Sequence, residues 1–201
     1  MGIKLKRQLV LFDFDGTITK KDTFSEFLIF ALGRRRLFVF LLFHIHLLLL
    51  YLFGVISIGL IKQKIMCYFF KGYSEEYFQN ITSNFAEKKI PDIVKESALN
   101  KMIWHKEKNH QVVIVSASLK NWLKIWCEKY DVELLCTELE VKNGILTGYF
   151  FKPNCHGLEK VHRIKEKYEL NMYSQIYAYG NSAGDKKMLL LADNAYYKTF
   201  K

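Results

Sequence analysis

Leu11-Phe12-Asp13-Phe14-Asp15-Gly16-Thr17 closes an apolar run that starts at Gln8. An apolar run of this length, ended by polar residues and a glycine, predicts a buried parallel strand followed by a loop. The pattern returns twice. Residues 111–115 lead into Ser116-Ala117-Ser118 and a helical stretch over 119–130, and residues 176–179 lead into Gly180-Asn181-Ser182 and a helical stretch over 186–192. Residues 195–198 offer a last short strand. Strands that each end in a polar loop opening a helix predict an α/β fold. Its Rossmann-like core has a mostly parallel sheet and a ligand crevice at the strands' carboxyl ends. One excursion is expected: Asn143-Gly144 sits between alternating segments within 134–151, which signals an antiparallel hairpin.

Half of the 201 residues are hydrophobic, enough for one well-buried core with a smaller inserted unit. The stretch over 20–108 reads as helical throughout. It is too long for a simple crossover, so part of it is expected to cap the crevice. The division is a core over 1–19 and 90–201 with a helical cap over 20–89, inserted after the first strand. Pro91 and Pro153 are the two prolines, no linker is visible, and no internal repeat appears.

The formal charge is +10, which points to anionic partners. The basic runs over 101–108 and 160–167 read as solvated helix faces. No nucleic-acid recognition motif accompanies them, so no nucleic-acid partner is expected. Cys67, Cys127, Cys136 and Cys155 form no Cys-x-x-Cys pair, which argues against zinc and redox motifs and fits reduced thiols in the cytoplasm. The apolar run before Asp13 is too short to read as a signal peptide.

Residues 37–61 contain no Asp, Glu, Lys or Arg and follow Arg34-Arg35-Arg36. By length and flank this is a membrane-span candidate. Topology argues against it. A single crossing would separate the strand of Asp13 from those of Ser116 and Asn181, and two crossings need about 40 apolar residues. Two readings stay open. The stretch forms one or two helices buried in the cap, or it forms a cap hairpin resting in the membrane interface with the arginines at anionic headgroups. His44 and His46, two apart, do not share a helix face and read as structural or interfacial rather than as metal ligands.

The chemistry lies at the strand ends. Two carboxylates two residues apart can help hold a hard divalent cation through oxygen ligands. One can attack a phosphorus atom whose charge the cation offsets, and the other can protonate the leaving oxygen and later activate water. Gly16 permits a tight turn that brings backbone close to a phosphate. Ser116, near an expected helix N-terminus, suits either a phosphate contact or an ordinary N-cap. Lys160 could neutralise phosphoryl oxygens. The loop over 180–185 supplies further oxygen ligands, with Asp185 able to bind the cation or orient its ligands.

The order Asp13-Phe14-Asp15-Gly16-Thr17-Ile18-Thr19, then Ser116, then Lys160, then Gly180-Asn181-Ser182-Ala183-Gly184-Asp185 resembles the haloacid dehalogenase superfamily. It resembles in particular the phosphoserine-phosphatase-like branch with a helical cap. The resemblance spans essentially the whole chain. It implies a Mg²⁺-dependent phosphatase in which Asp13 is the nucleophile that becomes an aspartyl phosphate. Asp15 would be the general acid/base, lending its carbonyl to Mg²⁺, while Ser116 and Lys160 hold the phosphoryl group. Asn181 and Asp185 would complete a metal site with Asp13 and Asp15. Gly16, Thr17 and Ala117 would face the substrate, as would Asp22 at the cap hinge. One departure stands out: Asn181 occupies a position where the family usually has aspartate. The implied substrate is a small soluble phosphomonoester such as phosphoserine. The apolar cap and Leu158-Glu159-Lys160-Val161 also resemble phosphatidylglycerophosphatase C-type proteins. That implies a lipid phosphomonoester and a place at the cytoplasmic face of the inner membrane. A third alternative is a non-catalytic binding or membrane-associated protein that keeps the fold.

Overall fold

In the computed structural model, which describes residues 7–200, the first apolar run becomes the centre of the sheet. β1 (Gln8–Phe12) is followed by six helices: α1 (Thr23–Phe43), α2 (Ile45–Leu52), α3 (Ile58–Phe70), α4 (Glu75–Lys88), α5 (Ile90–Ile93) and α6 (Glu96–Glu107). Then come β2 (Gln111–Leu119), α7 (Lys120–Tyr130), β3 (Glu133–Thr137), β4 (Leu139–Lys142), β5 (Ile145–Phe150) and α8 (Leu158–Lys167). β6 (Gln175–Gly180), α9 (Lys186–Leu189) and β7 (Asn194–Tyr197) complete the fold. The main sheet is parallel, with order β3-β2-β1-β6-β7.

β1 is apolar without alternation because both of its faces are covered. Val10 and Phe12 pack into one core cluster and Leu9 and Leu11 into the other, all four fully buried. Each such side chain contributes about 1.5–3 kcal/mol. The central place of β1 puts residue 13, the first beyond it, at the middle of the carboxyl edge. The Asp13 N–H still donates to the Tyr179 carbonyl at 2.9 Å.

Three boundaries differ from the sequence reading. β2 runs on to Leu119 with a register shift after Ser116, so Ser116 lies inside the strand rather than at a helix N-terminus. The hairpin is shorter than 134–151: Asn143-Gly144 joins β4 to β5, while β3 pairs in parallel with β2. The helix expected over 186–192 stops at Leu189.

The insert leaves and rejoins the core through one neck. Lys20 N–H donates to Ile93 O and Lys95 N–H to Ile18 O, both at 2.7 Å. Hairpin strand β5 packs against α3, where Gly148 lies so close to Cys67 that a Cβ would sit 2.6 Å from its Cα. α1 breaks at Gly33, whose φ of 75° is a left-handed value that glycine adopts without penalty.

The tip of the insert overturns the buried reading of 37–61. Between Phe38 and Val55 only Phe40 and Leu47 are buried, whereas Phe43 is 77% and Phe53 80% exposed. Among the described residues no single helix is long and apolar enough to cross a membrane. The pair α1 and α2 passes by length and composition only when joined across a 66° bend. His44 caps α1, its Nδ1 2.9 Å from Phe40 O and its ring stacked on Phe40. All four cysteines are free.

His105 on α6 is wholly buried, with Nε2 2.9 Å from the Tyr179 hydroxyl and Nδ1 2.8 Å from His110 Nδ1. Burial first, with His110 and Lys101 nearby, pushes its pKa down to about 3. Between the ordinary value of 6.5 and 3 the unfolded chain therefore binds a proton that the folded chain refuses. Stability is complete above that window and falls through it by about 1.4 kcal/mol per pH unit. Urea denaturation at pH 7 and pH 5 should show this loss, and His105→Gln should flatten it.

Candidate active site

The strand ends and the first turn of α1 surround a cavity of about 800 Å³. Asp13, Lys160 and Asp185 line its floor, Asp15, Ala117 and Ser182 its sides, and α1–α3 its upper wall. Lys160 reaches the floor from the first turn of α8 and is 1% exposed. Its Nζ donates to Asp13 Oδ1 at 2.6 Å, Asp185 Oδ1 at 2.8 Å and the Val115 carbonyl at 2.7 Å. Three acceptors satisfy the three ammonium protons, which is what a buried lysine requires. Burial opposes the charge, but Asp13 and Asp185 win and raise the lysine's pKa.

Asp13 is held at both oxygens, since Oδ2 accepts from the Thr17 hydroxyl at 2.9 Å. Burial pushes its carboxyl up to about 6 against the pull of Lys160, with Asp185 and Asp15 adding to the rise. The Asp185 carboxyl is driven below its ordinary value: burial is outweighed by Lys160 and the Ser182 donors. Its Oδ2 accepts from the Asn181 and Ser182 N–H groups and the Ser182 hydroxyl, at 3.1, 2.8 and 2.7 Å. Asp185 therefore ties the 181–185 loop to the lysine.

Asp15 is gripped from two elements. Oδ1 accepts from the Thr23 N–H at 2.8 Å and its hydroxyl at 2.7 Å, and Oδ2 accepts from the Ser118 hydroxyl at 2.5 Å. Burial, then the Asp22 carboxylate, raises its pKa. Burial and the Asp22 carboxylate thus favour the protonated form of Asp15, the form that can give a proton to a leaving oxygen.

The other expected residues divide. Asp22 lines the cavity and N-caps α1 through Ser25. Ser116 is fully buried, does not line the cavity, and accepts from the Ser118 N–H at 3.1 Å. Thr17 orients Asp13 and stands 3.3 Å from Asn181 Oδ1. Gly16 turns with φ 79°, and a Cβ there would lie 2.1 Å from Asn181 Nδ2. Gly16→Ala should thus lose roughly 1–3 kcal/mol of stability and, by displacing Asn181, at least about tenfold in turnover. Denaturant titration and a rate assay on the same preparation check both.

Sequence reading missed five groups. Thr23 and Ser118 hold Asp15, and the adjacency of Thr23 to the N-cap Asp22 was the available signal. Lys62, 3.6 Å from Asp22, and His156, packed on Gly184, line the cavity. The fifth is Lys95, whose Nζ donates to Gly16 O at 2.7 Å.

Among the described residues no three His, Cys, Asp or Glu gather as a cation cage. The donor set nevertheless fits a hard cation. Asp13 and Asp185 place two buried carboxylates, and Asp15 a half-buried one, against one buried ammonium, and Asn181 adds a neutral oxygen. The formal excess of negative charge matches a divalent ion.

The chain belongs to the haloacid dehalogenase-like hydrolase family, which matches residues 10–190. It is a hydrolase with the fold of that family's phosphoserine-phosphatase-like members. The protein CicA of Caulobacter vibrioides is 32% identical over 197 residues, covering 96% of this chain and 86% of that protein. A crystal structure of a protein of unknown function from Bordetella pertussis Tohama I superposes with a TM-score of 0.77 at 20% identity, covering 93% of this chain and 87% of that one. A phosphoserine phosphatase captured as a phospho-aspartyl intermediate analogue superposes at 0.59 with 23% identity, covering 93% and 84%.

Proposed function

We propose that this hydrolase is a Mg²⁺-dependent phosphatase that cleaves a phosphomonoester through an aspartyl phosphate on Asp13. The observation that carries the reading is the buried Asp13–Lys160–Asp185 bridge on the cavity floor, with the raised Asp15 carboxyl at its side. An Asp13 carboxylate oxygen attacks phosphorus, and the bond to the leaving oxygen breaks. Asp15 gives its proton to that oxygen. Water then attacks the phosphorus, Asp15 takes the water's proton, and the bond from phosphorus to Asp13 breaks to free phosphate. Lys160 holds phosphoryl oxygens through the charge that fixes Asp13. Asp13, the Asp15 carbonyl and Asn181 would hold Mg²⁺, with Asp185 orienting them. The ion supplies neutralisation of phosphoryl charge.

The leaving group favoured by the lining is apolar. Beyond the acidic floor the wall includes Phe24, Leu28, Ile29, Leu41, Ile61 and Ile65, with Arg34 and Lys62 as cations. This supports a lipid-borne phosphomonoester over a small polar one such as phosphoserine. p-Nitrophenyl phosphate should be hydrolysed with Mg²⁺ and not with excess EDTA. A long-chain alkyl phosphate should exceed phosphoserine at least about tenfold in kcat/KM. No turnover with any divalent cation sinks the phosphatase reading, and a preference for phosphoserine sinks the apolar leaving group.

A further inference from the structure

We propose that the tip of the insert, from Phe38 through α2 to Val55, is a docking surface for an anionic lipid bilayer. Among the described residues, thirteen of the twenty-five large exposed hydrophobic side chains fall within these 18 positions. An apolar patch this concentrated marks an interaction surface rather than scattered exposure. Charge selects the partner. No Asp or Glu occurs between Glu26 and Glu75, whereas Arg34, Arg35, Arg36, Lys62, Lys64 and Lys71 do. Lys62 is held by Asp22, but a second copy would bring the exposed Arg34, Arg35, Arg36, Lys64 and Lys71 to the contact and repel. An anionic headgroup layer would neutralise them while its acyl region receives the apolar side chains.

The fold fixes how the surface lies. Both ends of the insert pass through the neck at Ile18–Lys20 and Ile93–Lys95, so the chain leaves and returns on one side. The 66° bend between α1 and α2 suits a hairpin lying in the interface plane rather than a span. Leu37, Phe38, Leu41 and Tyr51 line the cavity and lie on the same elements as the patch. A docked molecule thus presents its acidic floor to a phosphate drawn up from the bilayer. Docking itself does not rest on the proposed reaction, since it is read by binding.

The full chain is floated with phosphatidylcholine vesicles and with vesicles carrying about 30% phosphatidylglycerol. Binding to the anionic vesicles is expected to exceed binding to the neutral ones at least about tenfold and to fall in high salt. Phe43→Ser with Phe53→Ser should lose at least about tenfold in vesicle binding. Arg35→Glu with Arg36→Glu should lose the preference for anionic lipid. Both double variants should keep the wild-type rate on p-nitrophenyl phosphate, because none of the four residues lines the cavity. Equal flotation of wild type and Phe43→Ser/Phe53→Ser overturns the proposal. So does sedimentation showing a wild-type dimer that the serine variant dissolves, without vesicle binding.

Discussion

Asp13→Asn is expected to slow p-nitrophenyl phosphate turnover by about 10⁴-fold or more while the protein keeps its fold. The amide has the shape of the carboxylate but lacks a nucleophilic oxygen anion, so the covalent step has no donor of electrons. Thermal stability should hold or rise. Burial raises the folded-state pKa of Asp13 to about 6, above the ordinary 3.8. A raised acid contributes stability that is full below pH 3.8 and lost as pH climbs through 6. At pH 7 ionised Asp13 is therefore a net cost, on the order of 3 kcal/mol. The asparagine removes that cost, although Lys160 gives up one charged partner. Rates at saturating Mg²⁺ and melting curves at pH 7 test the pair of outcomes. Residual activity above one hundredth of wild type removes Asp13 from the nucleophile's role.

Lys160→Met is expected to damage both stability and catalysis. It leaves the Asp13 and Asp185 carboxylates buried together with no ammonium between them. Removing one partner of a buried charge cluster costs about 3–5 kcal/mol, which for a chain of this size lowers Tm by roughly 10 °C. The loss should depend on pH with a definite sign. Without the lysine, both carboxyls favour their neutral forms in the folded state, so the deficit should be smaller at pH 5 than at pH 8. Turnover should fall about 10³-fold, because the cation that stabilises the transferring phosphoryl group is gone. Urea titrations at the two pH values separate this from a general packing defect, which would be insensitive to pH. A deficit below about 1 kcal/mol at pH 8 would show that the bridge does not hold the floor together.

Much of this site was legible because apolar strands and the polar loops after them leave local marks. Asp13, Lys160 and Asp185 converge because each follows or faces the carboxyl end of a parallel strand, and that geometry follows from topology alone. Ser116 was harder to place. Whether a strand stops at Val115 or runs to Leu119 depends on the register slip against β3, which is a long-range pairing rather than a local preference. Ser118 was invisible for the same reason, since its partner Asp15 lies 103 residues away in sequence, whereas Thr23 was marked only by its place beside the N-cap Asp22. The exposure of 38–55 was also undecidable from hydropathy, since an apolar helix reads alike whether protein or lipid is to cover it.

The grip of Thr23 on Asp15 makes the insert and the acid one mechanism. Thr23 is the first residue of α1, and its N–H, its hydroxyl and the Trp122 indole that donates to that hydroxyl meet at one point. The same α1 carries the cavity wall and the exposed tip at its other end. A tilt of this helix works as a lever. Because α1 breaks at Gly33, the lever is its first part alone, residues 23–32, which carries Phe24, Leu28 and Ile29 of the wall and ends on the proton donor. Occupancy of the wall by a leaving group would then reset how readily Asp15 surrenders its proton, so that grip on the substrate and timing of the chemistry are geared together.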